Sequence, residues 1–188
     1  MDKKIFISLL ILFFLGQVLL EAKNSKKSNS DSVYDSSFSS ISQKDCQILE
    51  SDNLGSIEEC ESFAGMKVVV IEGDTKQGIV LTRDNKRYEL DFGSLVTQGF
   101  ITLHSDLEWV YRREEFDNPI AMILRLEVDD DSDDTHEKVI PYSLVSKITE
   151  KDICIVAKVE TDDSKDKLVR DIAQKANSMP CISIGIKK

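Results

Sequence analysis

Three groups of residues carry side chains that could do chemistry. They are Glu108 and Trp109 with Arg125, the carboxylates Asp129, Asp131 and Asp133, and the cysteines Cys46, Cys60, Cys154 and Cys181. Arg125 stands in the middle of the most apolar run of the chain, on the face of a strand shared with Ala121 and Ile123. An unpaired guanidinium in such a run is costly, so it needs an anion. Glu108 supplies one if the two strands are neighbours, and a structural ion pair is the preferred reading. The alternative is an anionic small ligand held by Arg125 beside Glu108 and Trp109.

The carboxylates crowd residues 127–137, where Glu127, Asp129, Asp130, Asp131, Asp133, Asp134 and Glu137 fall within eleven positions. Oxygen ligands at alternating positions suit Ca²⁺, and Asp129, Asp131 and Asp133 imitate the start of an EF-hand loop. Asp134, however, stands where that loop needs glycine, and Ile140 where it needs the bidentate Glu. A solvated hairpin loop is the preferred reading, with a Ca²⁺ site as the alternative and no other cofactor indicated.

None of the four cysteines forms a C-x-x-C pair, which argues against zinc ribbons and thioredoxin-type centres. An even count in an exported chain reads as disulfides. Of the three possible pairings, Cys46–Cys60 with Cys154–Cys181 is favoured. The two histidines, His104 and His136, leave little for a His-based triad, and G-x-S-x-G, H-E-x-x-H and P-loop patterns are missing from the sequence. A carboxylate pair of the glycosidase kind would leave no local signature.

Charge narrows the partners. Lys plus Arg is 24 and Asp plus Glu is 34, a net charge of −10. Such a chain lacks the basic face that displaces counterions from phosphates, and it is repelled by anionic lipid. The start of the chain gives the address. Lys3 and Lys4 precede an apolar run over residues 5–20, too short for a comfortable membrane span of ~20 residues. Residues 1–22 therefore read as a secretory signal peptide with cleavage after Ala22, leaving no membrane-inserted segment.

The elements that must position these residues follow. Residues 23–45 contain nine serines and read as a flexible tether. A disulfide-containing domain is expected over 46–188. Residues 48–59 suit a short helix, with Ser56 as a weak cap. Residues 67–72, 79–82, 87–92, 107–113, 119–128, 139–148 and 153–159 read as strands, with 83–86 as a tight turn. Tyr88, Leu90 and Phe92 alternate with Arg87, Glu89 and Asp91, the period of a half-buried strand. Residues 166–177 change to helical spacing through Leu168, Val169, Ile172, Ala173 and Ala176, with Ser164 as the expected cap. Residues 181–186 read as an edge strand. The expected fold is α+β: one curved antiparallel sheet of six to seven strands, a C-terminal amphipathic helix and a short N-terminal helix.

Residues 60–181 resemble a family of small exported bacterial proteins of unknown function. The matching features are Gly65, the turn Glu72-Gly73-Asp74, the pair Glu108-Trp109, and the strand residues Pro119, Ala121, Ile123 and Arg125. Cys154, Ala173 and Cys181 follow in the same order. The resemblance implies export and a small disulfide-containing fold, and it brings no established activity. The chain thus reads as an exported protein, periplasmic, secreted or at the cell surface. Its expected role is a non-catalytic interaction module whose partner is another envelope or secreted protein. The alternatives are a sensor of an anionic ligand through Arg125 and Trp109, and a carboxylate-dependent hydrolase of envelope polymers.

Overall fold

The structure is a computed structural model that describes residues 33–73, 78–96, 100–130, 138–162 and 164–182. Its strands are β1 (Tyr34–Ser40), β2 (Gln47–Asp52), β3 (Gly55–Phe63), β4 (Met66–Gly73), β5 (Gly78–Arg83) and β6 (Lys86–Leu90). After them come β7 (Ile101–Arg112), β8 (Ala121–Asp129), β9 (Val139–Ile148) and β10 (Ile153–Glu160). Helix α1 (Gly93–Val96) precedes β7, and α2 (Asp166–Ala173) follows β10. Short 3-10 turns lie at Gln43–Asp45 and Ala176–Ser178.

The strands form two antiparallel sheets. The first has the order β1-β7-β8-β9-β10, and the second is the meander β2-β3-β4-β5-β6. Local chemistry sets the hairpins of the meander. Asp84 and Asn85 take φ of 51° and 61° between the paired residues Arg83 and Lys86. Positive φ at both central residues matches the right-handed twist of the flanking strands, and Asp and Asn tolerate it. Ala64 and Gly65 do the same between Phe63 and Met66, with φ of 50° and 74°. The β2–β3 turn is tied by Asp52, whose Oδ1 accepts from the backbone N of Leu54 at 2.8 Å and of Gly55 at 3.1 Å.

One apolar core joins the two sheets. Leu107, Trp109, Met122, Leu124 and Leu126 of the first sheet pack in one cluster with Val68, Val70, Ile79, Leu81 and Tyr88 of the second. Phe63 stacks on Trp109 with ring centroids 5.1 Å apart. A second, smaller cluster lies on the other face of the first sheet, where Val110, Ala121, Ile123, Val145 and Val156 meet Val169 and Ala173 of α2 and Ala176 beyond it. The layers are therefore sheet, sheet, helix.

This overturns the expected α+β fold with a single sheet of six to seven strands. The fold is mostly β, with ten strands in two five-stranded sheets and one helix of more than seven residues among the described residues. The seven strands read over residues 67–159 are present, and the three missed ones explain the error. The segment expected as a short N-terminal helix is the hairpin β2–β3. Its core-facing positions include Ser56 and Glu58, so the apolar alternation that marks a strand is broken. Part of the expected tether, Tyr34–Ser40, is β1, paired along β7 from Tyr34–Arg112 to Ser40–Asp106. Its serines look like linker composition, yet Ser39 is buried and its Oγ accepts from Trp109 Nε1 at 2.8 Å. The compact unit accordingly begins at Val33 rather than Cys46.

Helix α2 lies where the periodicity placed it. Ser164 is not its cap: its N and Oγ donate to Asp162 Oδ1, and Lys165 takes the cap position. Of the expected final strand, Ile182 N donates to Ile155 O at 2.8 Å without strand geometry, and residues 183–188 lie outside the described residues. So do residues 1–22, expected as a signal peptide.

Ala64 holds a backbone conformation that costs a residue with a Cβ about 1 kcal/mol. Ala64→Asn creates the Asn-Gly pair that this turn type prefers. It should raise stability by about 0.5 kcal/mol, read as a higher urea midpoint at unchanged slope; a lower midpoint contradicts the turn assignment.

Candidate functional site

Alternation along β7 and β8 decides what the sequence-predicted residues can do. Glu108 pairs with Ile123, and Trp109 with Met122. Glu108 and Arg125 consequently share the helix-facing side of the sheet, while Trp109 faces the core between the sheets. Trp109 and Glu108 are both fully buried. The structure therefore brings Glu108 and Arg125 together and sets Trp109 on the opposite face.

Glu108 is held from two directions. Arg125 Nη2 donates to its Oε2 at 2.6 Å, and Arg170 Nε of α2 donates to its Oε1 at 2.9 Å. Asp166 Oδ1 lies 3.7 Å from Arg125 Nη2. Burial pushes the Glu108 carboxyl up. The bond and charge of Arg125, then those of Arg170, outweigh it and hold the carboxyl below its ordinary range. Both carboxylate oxygens are occupied, so this group is poorly placed to exchange protons with a substrate. What it does is tie strand β7, strand β8 and helix α2 at one point. Arg170 was not singled out from sequence, because nothing there shows which strand the helix covers.

The acidic segment is described only in part. Asp129 ends β8 and pairs with Val139, while Asp131 and Asp133 lie outside the described residues. Asp130, largely buried, accepts from Lys138 Nζ at 2.7 Å. His104 Nε2 stands 3.6 Å from Glu127 Oε1 on the neighbouring strand.

The cysteines pair as favoured, Cys46 with Cys60 and Cys154 with Cys181. The chain-entropy argument assigns each bond about 3 kcal/mol of stabilisation. The first fastens the start of β2 to β3, and the second fastens the segment after α2 to β10. Asp152 stands beside the second, its Oδ2 3.3 Å from Cys181 Sγ. With the sulfurs bonded to each other no thiolate is offered, so the trio is no metal centre in this state.

A groove of about 410 Å³ opens at the tip of the second sheet, where β2, β3 and β4 end together. Leu54, Ile57 and Ile71 supply apolar lining, Glu50 and Asp52 stand on the edge strand beside them, and Glu72 lines the groove from β4 with its side chain on the face of Ser56 and Glu58. Gly55 is required here because a Cβ on it would lie 2.0 Å from Glu72 O. Glu58, buried two residues along β3 from Ser56 on the same face, accepts from Gln43 Nε2 at 2.8 Å and from Ser56 Oγ at 2.7 Å. Partial burial, then the negative charge of Glu58, raises the Glu72 carboxyl above its ordinary range. Sequence reading missed this site. The turn residues Asp52, Asn53 and Gly55 around an apolar Leu54 were the available signal, hidden by the helical reading of residues 48–59.

Two predictions follow from these charges. Arg125 is 22% exposed and Arg170 48%. Arg125→Met should cost about 3 kcal/mol in urea unfolding, as for a broken buried pair, and Arg170→Met no more than about 1 kcal/mol. Equal costs would refute the assignment of Arg125 as the main partner. Glu72 titrates higher in the folded chain than in the unfolded one, so its protonated form favours folding and this advantage is lost as pH rises through the folded value. Glu72→Gln should therefore raise the Tm at neutral pH, by an amount that shrinks as pH is lowered through that value; a pH-independent difference would refute it.

Comparison with models of protein families, with curated proteins and with solved structures found no match to this chain.

Proposed function

We propose that this chain is an exported, non-catalytic interaction module that engages another envelope or secreted protein through the edge of its second sheet. The observation that carries this reading is strand β2. Every one of its six residues is exposed, which holds for no other described strand, and it stands at the sheet edge with β3 as its one strand neighbour among the described residues. Ile48 and Leu49 on it are 52% and 48% exposed, and Leu54 at the following turn is 66% exposed. An edge strand offers a row of backbone donors and acceptors to an incoming strand, and apolar side chains beside it add area to bury.

Export is supported by the apolar run at 5–20, by the resemblance to small exported proteins, and by two disulfides, which suit an oxidising, extracytoplasmic compartment. Recognition of an anionic ligand by Arg125 and Trp109 together has less support, since the two side chains lie on opposite faces of the sheet and Arg125 is bonded to Glu108.

The test is selection of random 12-residue peptides displayed on phage against the oxidised full chain. We expect enriched peptides that lose at least tenfold in affinity to an Ile48→Lys/Leu49→Ser variant, whose thermal unfolding should stay near that of the parent because both residues are exposed. Failure to enrich any peptide, or peptides indifferent to the two substitutions, refutes the edge as the interface.

A further inference from the structure

The groove at the end of β2 carries the reading further, to the chemistry of the partner. Strand register places two rows side by side on one face. Glu50 pairs with Ile57, which pairs with Ile71, and Asp52 pairs with Gly55, which pairs with Gly73. The first row provides an apolar strip behind a carboxylate. The second sets another carboxylate at the edge with only glycine behind it, where β3 and β4 approach too closely for a Cβ on Gly55. Leu54 lies at the turn, and Glu72, which pairs with Ser56, lines the groove from β4 with its side chain on the opposite face. About 410 Å³ lies within the range of sites that take a peptide side chain or a small ligand.

The charges select the occupant. Three carboxylates and no lysine or arginine line the groove. Glu50 and Asp52 are two positions apart on the edge strand, so their side chains leave the same face at the spacing of alternate residues in a paired strand. An incoming strand would set its own alternate residues opposite them. Like charges opposite one another are unfavourable, and each copy of this chain already carries −10, so a second copy is a poor occupant. A strand with cations at alternate positions meets both carboxylates at once. Ile57 and Ile71 lie behind Glu50 on that same face and can cover the apolar stems of those cations, while the residues between the cations leave the other face, on the side of Ile48.

We infer that this groove is the binding site for an extended segment of a partner protein in which lysine or arginine alternates with apolar residues. The inference rests on the interaction-module reading above and gives that partner its chemistry. The segment adds to the open edge of β2 through its backbone, and its basic side chains reach Glu50 and Asp52.

Fluorescein-labelled hexapeptides of alternating Lys-Val, Ser-Val and Glu-Val, titrated with the oxidised full chain and read by anisotropy, test it. Lys-Val should bind at least tenfold more tightly than Ser-Val, and Glu-Val more weakly than both. The Lys-Val advantage should fall below twofold in a Glu50→Gln/Asp52→Asn variant. It should survive in Glu114→Gln/Asp117→Asn, which removes the same charge from exposed positions elsewhere. Circular dichroism melts verify that both variants are folded. Lys-Val binding no tighter than Ser-Val, no Lys-Val binding at all, or an advantage lost equally in both variants overturns the inference. If Ser-Val binds and depends on Ile48 and Leu49 while Lys-Val gains nothing, the edge remains the interface and only the basic partner is lost. If no hexapeptide binds and phage selection also fails, both readings fall.

Discussion

Strand β8 has no solvent face along its first half. Ala121, Met122, Ile123 and Leu124 are all buried, so the chain must cover both sides of the sheet that contains them. The second sheet covers one side and α2 with the turn after it covers the other. The layered order follows from this requirement. A single curved sheet with one helix would leave one set of these side chains in water, forfeiting roughly 1.5–3 kcal/mol for each large one. The meander β2–β6 is thus as necessary to β8 as the helix is.

Covering the outer side creates the electrostatic demand that Glu108 and Arg125 meet. Once α2 lies on the sheet, a carboxylate on β7 and a guanidinium on β8 are withdrawn from water together. Each needs the other more than it stabilises the fold by itself. Arg170 brings the helix into the same arrangement, and Lys147 Nζ, donating to Met179 O at 3.1 Å, fastens the chain beyond it. Because the Glu108 carboxyl is held low, its contribution is present at neutral pH and lost as pH falls through its folded-state value.

The two disulfides stand at the places where such a layered fold is weakest. Cys46–Cys60 holds the strand with the least burial, and Cys154–Cys181 holds the chain after the helix against β10. The first of them lets β2 remain an ordered edge although its own side chains bury almost nothing. Its acidic residues also oppose pairing with a second copy of the same edge.

What the sequence by itself determined was local. Period-2 runs located seven strands, helical spacing located α2, and the run Arg83-Asp84-Asn85-Lys86 located a two-residue turn. The even cysteine count and their distribution gave both disulfides, and the cost of a lone buried charge gave the Glu108–Arg125 pair. Only the tertiary structure decided that the strands divide into two sheets, because sequence periodicity reports which side of a strand is apolar and not what lies against it. The same reason hid β1, β2 and β3. Ser39, Ser56 and Glu58 occupy inward positions where polar groups are tolerated only because Trp109 Nε1 and Gln43 Nε2, distant in sequence, satisfy two of them and Ser56 bonds to Glu58. The groove was equally out of reach, since it exists only where three strand ends and two glycines on different strands are brought into register.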